Sequence, residues 1–268
     1  MSHTLESGLV LDDIGVSMDG HVAIVELQRP PNNFVDVDLL GNLATALEAL
    51  DRDPQCRSVV LAAAGKHFCA GGNLKQRLET EARGEKFVPA KRHPYKEARR
   101  LMATRKPIVA AVHGAAIGAG LGLAVFPDFR VTCKEARFSA NFTAIGFFPG
   151  FGLTVTLPRL VGHQQARWLM LTGKRITGEE AHAIGLADRL VPQDEVRPVA
   201  IEMARELAKA APLSVQATRE ALNAELLLAF RAATERESFE QNWLRETQDY
   251  KEGVEASAAR RDANFTGT

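Results

Sequence analysis

The sequence predicts an α/β fold, and three observations indicate it. Two short apolar runs, Val59–Ala64 and Ile108–Val112, have the composition of buried strands. Each is followed by a glycine-rich stretch, Phe68–Leu74 or His113–Leu123, whose small residues suit the turn from a strand into a helix. The third observation is a long tail, residues 214–262, that contains one glycine and no proline and therefore favours helices.

The elements before the first glycine-rich stretch follow from local patterns. Residues 14–28 are typical of two strands joined by a turn at Asp19-Gly20. A helix is predicted to begin at Asp36 or Asp38, because acidic residues suit a first turn, and its leucines recur at helical spacing as far as Leu50.

The later elements complete the α/β pattern. Residues 75–100 are charged and predict an irregular or mobile segment of the kind that often lies over a pocket. A buried helix is expected to run to about Val125, followed by a strand at Phe129–Cys133. The pattern changes near residue 195, which predicts a core in residues 1–195 and a helical subdomain in residues 196–268.

Composition excludes several classes of partner and compartment. The chain has 268 residues, 46% of them hydrophobic, which is enough for one large domain. Lysine plus arginine and aspartate plus glutamate each number 33, so bulk charge gives no reason to expect nucleic acid binding. No apolar run has the length of a membrane span, and the start of the chain shows no export signal. The three cysteines show no metal-ligand spacing, so we expect no metal site. Their odd number gives no disulfide framework, which suits a reducing cytoplasm.

The two glycine-rich stretches are the candidate functional feature. Glycine lets the main chain approach a ligand closely, and two N–H groups aimed at one point would form an oxyanion hole, which stabilises a carbonyl oxygen that gains charge. The spacing Gly118-Ala119-Gly120-Leu121-Gly122 does not match a dinucleotide-binding fingerprint, and no acidic residue follows at the required offset.

A set of further motifs accompanies these stretches in a specific order. Together with Arg29-Pro30 and Asn33, they resemble the crotonase superfamily, the enoyl-CoA hydratase and isomerase family, over nearly the whole chain. The remaining matching segments are Asp128, Gly146–Gly150, Leu157–Gly162, Leu171–Ile176, Ala181–Asp188 and Glu252–Phe265.

The resemblance implies a fold, a ligand and an assembly. The fold would be a spiral of ββα units, with C-terminal helices that pack trimers, commonly two trimers to a hexamer. The ligand would be an acyl-CoA thioester, with coenzyme A as part of the substrate and no tightly bound cofactor. Its carbonyl oxygen would accept hydrogen bonds from two main-chain N–H groups, which fall here on Gly72 and Ala119.

The chain departs from the family pattern where hydratases carry two glutamates. Those positions are Gly122 and Phe142 here, and neither residue transfers a proton. Some relatives place an aspartate at the position of Gly150, and this too is absent. Because a positioned acid or base contributes roughly 10²–10⁴ in rate, we expect hydration by the usual mechanism to be very slow.

Other residues are candidates for the missing chemistry and for binding. His93 is a speculative acid or base, with a solvated loop residue as the alternative. The same charged segment offers Glu79, Glu81, Glu85, Tyr95 and Glu97. Phe142 and Asn141 are expected to line the acyl pocket, with core packing or backbone capping as the alternatives. On the coenzyme A side the candidates are Arg29, Lys66, Ala70, Asn73 and Leu74.

Three functions remain open from sequence. The first is an acyl-CoA enzyme that uses the oxyanion hole for isomerisation, C–C cleavage or thioester hydrolysis. The second is a conventional enoyl-CoA hydratase of fatty-acid β-oxidation. The third is an acyl-CoA-binding protein without activity.

Overall fold

The computed structural model describes residues 11–74, 83 and 93–268. Its strands are β1 (Ile14–Asp19), β2 (Val22–Leu27), β3 (Ser58–Ala63), β4 (Ile108–Val112), β5 (Ala115–Ile117), β6 (Phe129–Thr132), β7 (Arg137–Ser139), β8 (Arg175–Thr177) and β9 (Arg189–Leu190). Its α-helices are α1 (Val37–Arg52), α2 (Pro94–Met102), α3 (Ala119–Val125), α4 (Leu153–Thr172), α5 (Gly178–Ala183), α6 (Val196–Lys209), α7 (Pro212–Leu244) and α8 (Gln248–Ala259). Short 3₁₀ turns lie at Thr143–Ile145 and Gln193–Glu195.

Two sheets organise the described part of the chain. The larger has the order β1-β2-β3-β4-β6-β9, in which β1 and β2 are antiparallel and every later pair is parallel. The smaller has the order β5-β7-β8. β3 and β4 are buried along their whole length, as their uninterrupted apolar sequences require. The predicted α/β fold class is confirmed.

The first helix begins where the sequence predicts. The Asp36 carboxylate accepts a hydrogen bond from the Leu39 N–H at 2.8 Å and so caps α1. The leucines of α1 are buried, including Leu39, Leu43 and Leu47. Helical periodicity and a capping aspartate together explain this element.

The second glycine-rich stretch contains one element that its composition does not predict. Between β4 and α3, residues Ala115–Ile117 form the short strand β5, which pairs with β7. The Cys69 N–H also donates to the Ala115 carbonyl at 2.9 Å. Pairing with distant segments therefore makes a strand from three residues, two of which are alanines of low strand propensity.

The helical tail packs closely on the core. The Ser58 hydroxyl donates to the Ala204 carbonyl at 2.7 Å, which holds α6 against the large sheet. Arg219 of α7 forms an ion pair with Asp128 at 2.8 Å. Residue 195 thus marks a change in secondary structure more than a change in packing, and the division into two domains stays a prediction.

The structure describes only part of the charged segment, and the three cysteines form no disulfide bond. The irregular segment predicted for residues 75–100 lies largely outside the described residues, and its last part is the ordered helix α2. Cys56, Cys69 and Cys133 are free and buried. In the described portion, no helix combines the length and apolar character needed to cross a membrane.

Candidate active site

The two glycine-rich stretches lie against each other, bonded main chain to main chain. The Ile117 N–H donates to the Cys69 carbonyl at 3.0 Å. Side chains would prevent this contact: a Cβ on Gly120 would lie 2.1 Å from the Cys69 oxygen, and a Cβ on Gly71 would lie 2.6 Å from the Ile117 oxygen. Gly71 also has φ +84°, a conformation that favours glycine.

The amides of Gly72 and Ala119 lie on these adjoining stretches. Ala119 is the first residue of α3, where an N–H has no acceptor inside the helix. Gly72 is exposed, with open space around the position of a Cβ. A Cβ on Gly71, the residue before Gly72, would lie 3.9 Å from the Ala119 nitrogen. Within the described residues, neither the Gly72 nor the Ala119 amide donates to a protein acceptor.

Residue 122, which the resemblance places at the first hydratase glutamate, is a glycine packed against an aromatic ring. A Cβ on Gly122 would lie 2.5 Å from both the Cβ and the ring of Phe151. Phe151 is 3% exposed and has φ +60°, which is uncommon for a bulky residue. No acidic side chain fits at residue 122 while Phe151 keeps this place.

Phe142, which the resemblance places at the second hydratase glutamate, lies beside the second glycine-rich stretch. Its ring is buried, and its Cζ is 3.7 Å from the Cβ position of Gly118. The Asn141 Oδ1 atom is 3.2 Å from the same position. Both residues adjoin the residue that precedes Ala119.

The residues that are predicted to contact coenzyme A lie in different environments. The Arg29 guanidinium forms 2.5 Å ion pairs with Asp13 and Asp36, and hydrogen bonding to Asp13 is the main reason that its pKa is raised. Lys66 is exposed and has no ion-pair partner among the residues described. The Ala70 N–H donates to the Asn32 carbonyl at 2.9 Å. The half-buried Asn73 and Leu74 directly follow Gly72.

His93 has a structural contact that its sequence context does not reveal. Its Nδ1 accepts from the Tyr95 N–H at 3.2 Å and so caps α2. Its Nε2 lies 3.5 Å from the Ser238 hydroxyl, and burial lowers the pKa of the ring. The acid or base role of His93 stays a prediction.

The other candidates of that segment divide into two groups. Glu97 is buried and pairs with Arg100 at 2.5 Å, within a network that includes Glu48. Glu79, Glu81 and Glu85 lie outside the described residues.

A polar cluster from α2 and α7 lies beside the glycine-rich turn at Gly150. A Cβ on Gly150 would lie 2.6 Å from the Tyr95 hydroxyl and 2.9 Å from the Gln241 Nε2. The Glu237 carboxylate accepts from the Gly152 N–H at 2.9 Å and from the Thr154 hydroxyl at 3.1 Å. Burial raises the pKa of Glu237 to about 7.

Gln241 and Glu237 were not predicted from the sequence, whereas Tyr95 was among the predicted candidates. The sequence does contain a signal that could have identified these two α7 residues, namely their helical spacing from other buried residues. Phe230, Thr234, Glu237 and Gln241 share one buried stripe of α7, in which polar residues interrupt an apolar pattern.

Burial also decides the chemistry of Cys69, which belongs to the first glycine-rich stretch. It raises the pKa of the thiol to about 12, so Cys69 is a packing residue at neutral pH and not a nucleophile.

The fold is shared with solved structures. An enoyl-CoA hydratase/isomerase from Pseudoalteromonas atlantica T6c superposes with a TM-score of 0.85 at 28% identity, covering 95% of this chain and 100% of that one. The arrangement of two sheets, adjoining glycine-rich turns and C-terminal helices is therefore the crotonase fold.

Sequence comparisons extend this likeness to the family. The family model described as enoyl-CoA hydratase/isomerase matches residues 17–268. A putative enoyl-CoA hydratase of Thermus thermophilus is 36% identical over 252 residues, covering 92% of this chain and 98% of the relative. The putative enoyl-CoA hydratase/isomerase YngF of Bacillus subtilis is 32% identical over 251 residues, covering 92% and 95%. The chain belongs to the enoyl-CoA hydratase/isomerase family, whose members act on coenzyme A thioesters.

Proposed function

We propose that this protein binds an acyl-CoA thioester with the carbonyl oxygen between the N–H groups of Gly72 and Ala119. These amides stabilise the negative charge that the oxygen gains when an enolate or a tetrahedral intermediate forms. The observation that carries the proposal is the direct hydrogen bonding between the two glycine-rich stretches. Among the described residues, neither the Gly72 nor the Ala119 N–H donates to a protein acceptor.

The surroundings of the two amides favour reactions other than the addition of water to a carbon–carbon double bond. Water addition to an enoyl thioester needs a base for the water and an acid for the α-carbon. The Phe151 ring fills the space at Gly122, and Phe142 presents a second apolar ring. We therefore propose an isomerase, a C–C lyase or a hydrolase, whose reactions all pass through a stabilised oxyanion, acting on an acyl group that fits an apolar pocket.

Two alternatives have specific support. The names of the Thermus and Bacillus relatives favour a conventional enoyl-CoA hydratase, whose acid and base would come from other residues. Apolar packing at both glutamate positions favours an acyl-CoA-binding protein without activity.

The coenzyme A moiety is proposed to lie beside the first glycine-rich stretch. Lys66 is the exposed cation there and suits a phosphate, whereas the Arg29 charge is already balanced by two carboxylates. Ala70, Asn73 and Leu74 would form the wall of this side of the site.

A panel of thioesters separates the three functions. We expect crotonyl-CoA to bind but to be hydrated at least 10² times more slowly than by a family member that carries both glutamates. Binding and turnover would be measured for enoyl-, dienoyl-, aryl- and β-keto-acyl-CoA esters. Rapid hydration of crotonyl-CoA would contradict the proposal, and tight binding without turnover of any ester would favour the inactive binder.

The proposal extends to self-association as a homotrimer or hexamer. Large apolar side chains near the end of α4 and the end of α7 support it: Trp168, Leu171 and Trp243 are 58%, 73% and 52% exposed in the single chain. Light scattering is expected to give three or six times the 29.2 kDa chain mass. A monomer at micromolar concentration would contradict this extension.

A further inference from the structure

The Tyr95 hydroxyl lies in the part of the site where the family pattern would allow an acidic residue. Tyr95 is 9% exposed, and its oxygen is 2.6 Å from the Cβ position of Gly150. Only glycine at residue 150 leaves room for this oxygen. The same Cβ position is 3.4 Å from Cε1 of Phe142, whose neighbouring ring atom Cζ faces Gly118 at 3.7 Å. One aromatic ring therefore connects the phenol with the residue before Ala119.

The groups around this phenol leave its proton free to donate. Burial raises the pKa of Tyr95, and the nearby Gln241 side chain and Phe151 main chain lower it by less, so the phenol stays protonated. The Gln241 Nε2 and the Phe151 N–H are donors, so neither accepts the phenol proton.

The neighbouring polar groups do not accept this proton. The Glu237 carboxylate is held by Gly152 and Thr154. The Gln241 Nε2 donates to the Phe148 carbonyl at 3.0 Å. Among the described residues, no protein acceptor takes the Tyr95 proton. The O–H of this largely buried side chain is therefore available to an oxygen atom of a ligand.

We propose that Tyr95, which lies beside Gln241 at Gly150, donates a hydrogen bond to an oxygen atom on the acyl chain, so that the preferred substrates are oxygen-bearing acyl-CoA thioesters. The proposal rests on the proposed function, because it places the acyl chain beside Phe142. It names the class of acyl group: one with a hydroxyl or carbonyl oxygen a few bonds beyond the thioester.

Calorimetry with paired probes tests this inference. We expect the wild-type protein to bind 3-hydroxybutyryl-CoA and acetoacetyl-CoA about tenfold more tightly than butyryl-CoA, the upper end of what one neutral hydrogen bond contributes. Tyr95→Phe should remove this preference and leave the affinity for butyryl-CoA unchanged. Tyr250→Phe, at the other tyrosine of the chain, should retain it, since Tyr250 is buried against Phe147 in α8.

The outcomes separate the two proposals. An absence of binding for all three probes overturns the proposed function. Equal affinity of the wild-type protein for all three probes, or a preference that survives in Tyr95→Phe, overturns the role of Tyr95. If Tyr95→Phe fails to fold, Gly150→Ala serves as the second variant, because its Cβ occupies the space beside the hydroxyl and should also abolish the preference.

Discussion

Replacement of Ala119 by proline is expected to lower kcat/KM for any ester that the protein turns over by about 10²–10³. That is the range typical for the loss of one donor from an oxyanion hole. Proline has no N–H, and its ring carbon occupies the space of the missing hydrogen. The carbonyl oxygen then loses one of its two partners, whichever of the proposed reactions takes place.

The position of Ala119 makes this substitution compatible with the fold. Ala119 is the first residue of α3, and proline is favoured at the first position of a helix. The chain already uses proline in this way, since Pro94 begins α2 and Pro212 begins α7. Gly118, the preceding residue, lies outside the α region that proline disfavours. The loss of rate should therefore occur without unfolding.

Two measurements and one control variant isolate the effect. The stretching frequency of the thioester carbonyl, measured by difference infrared spectroscopy on bound ester, should shift down in the wild-type protein and shift down less in Ala119→Pro, where the Gly72 N–H is the one remaining donor. Val37→Pro makes the same change at the first residue of α1, after the extended Asp36, and should leave rate and frequency unchanged. A folded Ala119→Pro variant with the wild-type frequency would refute the role of this amide.

Local patterns predicted most of the fold because neighbouring residues determine those elements. β3 and β4 are uninterrupted apolar runs, and α1 combines a capping aspartate with helically spaced leucines. β5 was missed because its strand conformation depends on pairing with β7, which lies farther along the chain. The residue at which a strand begins depends on its register with the partner strand. For this reason β3 begins at Ser58, one residue before the predicted start.

The candidate site was predictable where it depends on main-chain geometry and less so where it depends on packing. The glycine-rich composition already indicated close approach of the main chain to a ligand, whereas the contact of the two stretches through Gly71 and Gly120 is visible only in the structure. The sequence also showed that residue 122 lacks a carboxylate, but not that the Phe151 ring takes its space. Gln241 and Arg29 show the same limit: their partners Phe148, Asp13 and Asp36 are brought near by the fold and by no local pattern.

Glu237 supplies the second large expected effect, on stability. Its carboxylate joins α7 to the start of α4 through Gly152 and Thr154, next to the turn that carries Gly150 and Phe151. Burial raises the pKa of this carboxyl from 4.5 to about 7 in the folded protein. The folded protein thus holds a proton at pH values where the unfolded chain has released it.

The direction of the pH dependence follows from this difference. The contribution of Glu237 to stability is fully present below pH 4.5 and is lost as the pH rises through about 7. The shift corresponds to a loss on the order of 3 kcal/mol in the free energy of unfolding. Glu237→Gln carries a permanently neutral side chain whose oxygen can still accept from the Gly152 N–H, so the variant should escape this loss.

Urea unfolding of both proteins near pH 4.5 and near pH 8 measures the effect. We expect similar stabilities at the lower pH and a Glu237→Gln variant that is more stable by on the order of 3 kcal/mol at the higher pH. Glu235→Gln removes an exposed carboxyl from the same helix and controls for the change in net charge. A difference between wild type and Glu237→Gln that stays constant with pH would show that Glu237 is ionised in the folded protein throughout this range. In that case its hydrogen bonds to Gly152 and Thr154 would outweigh the cost of its burial.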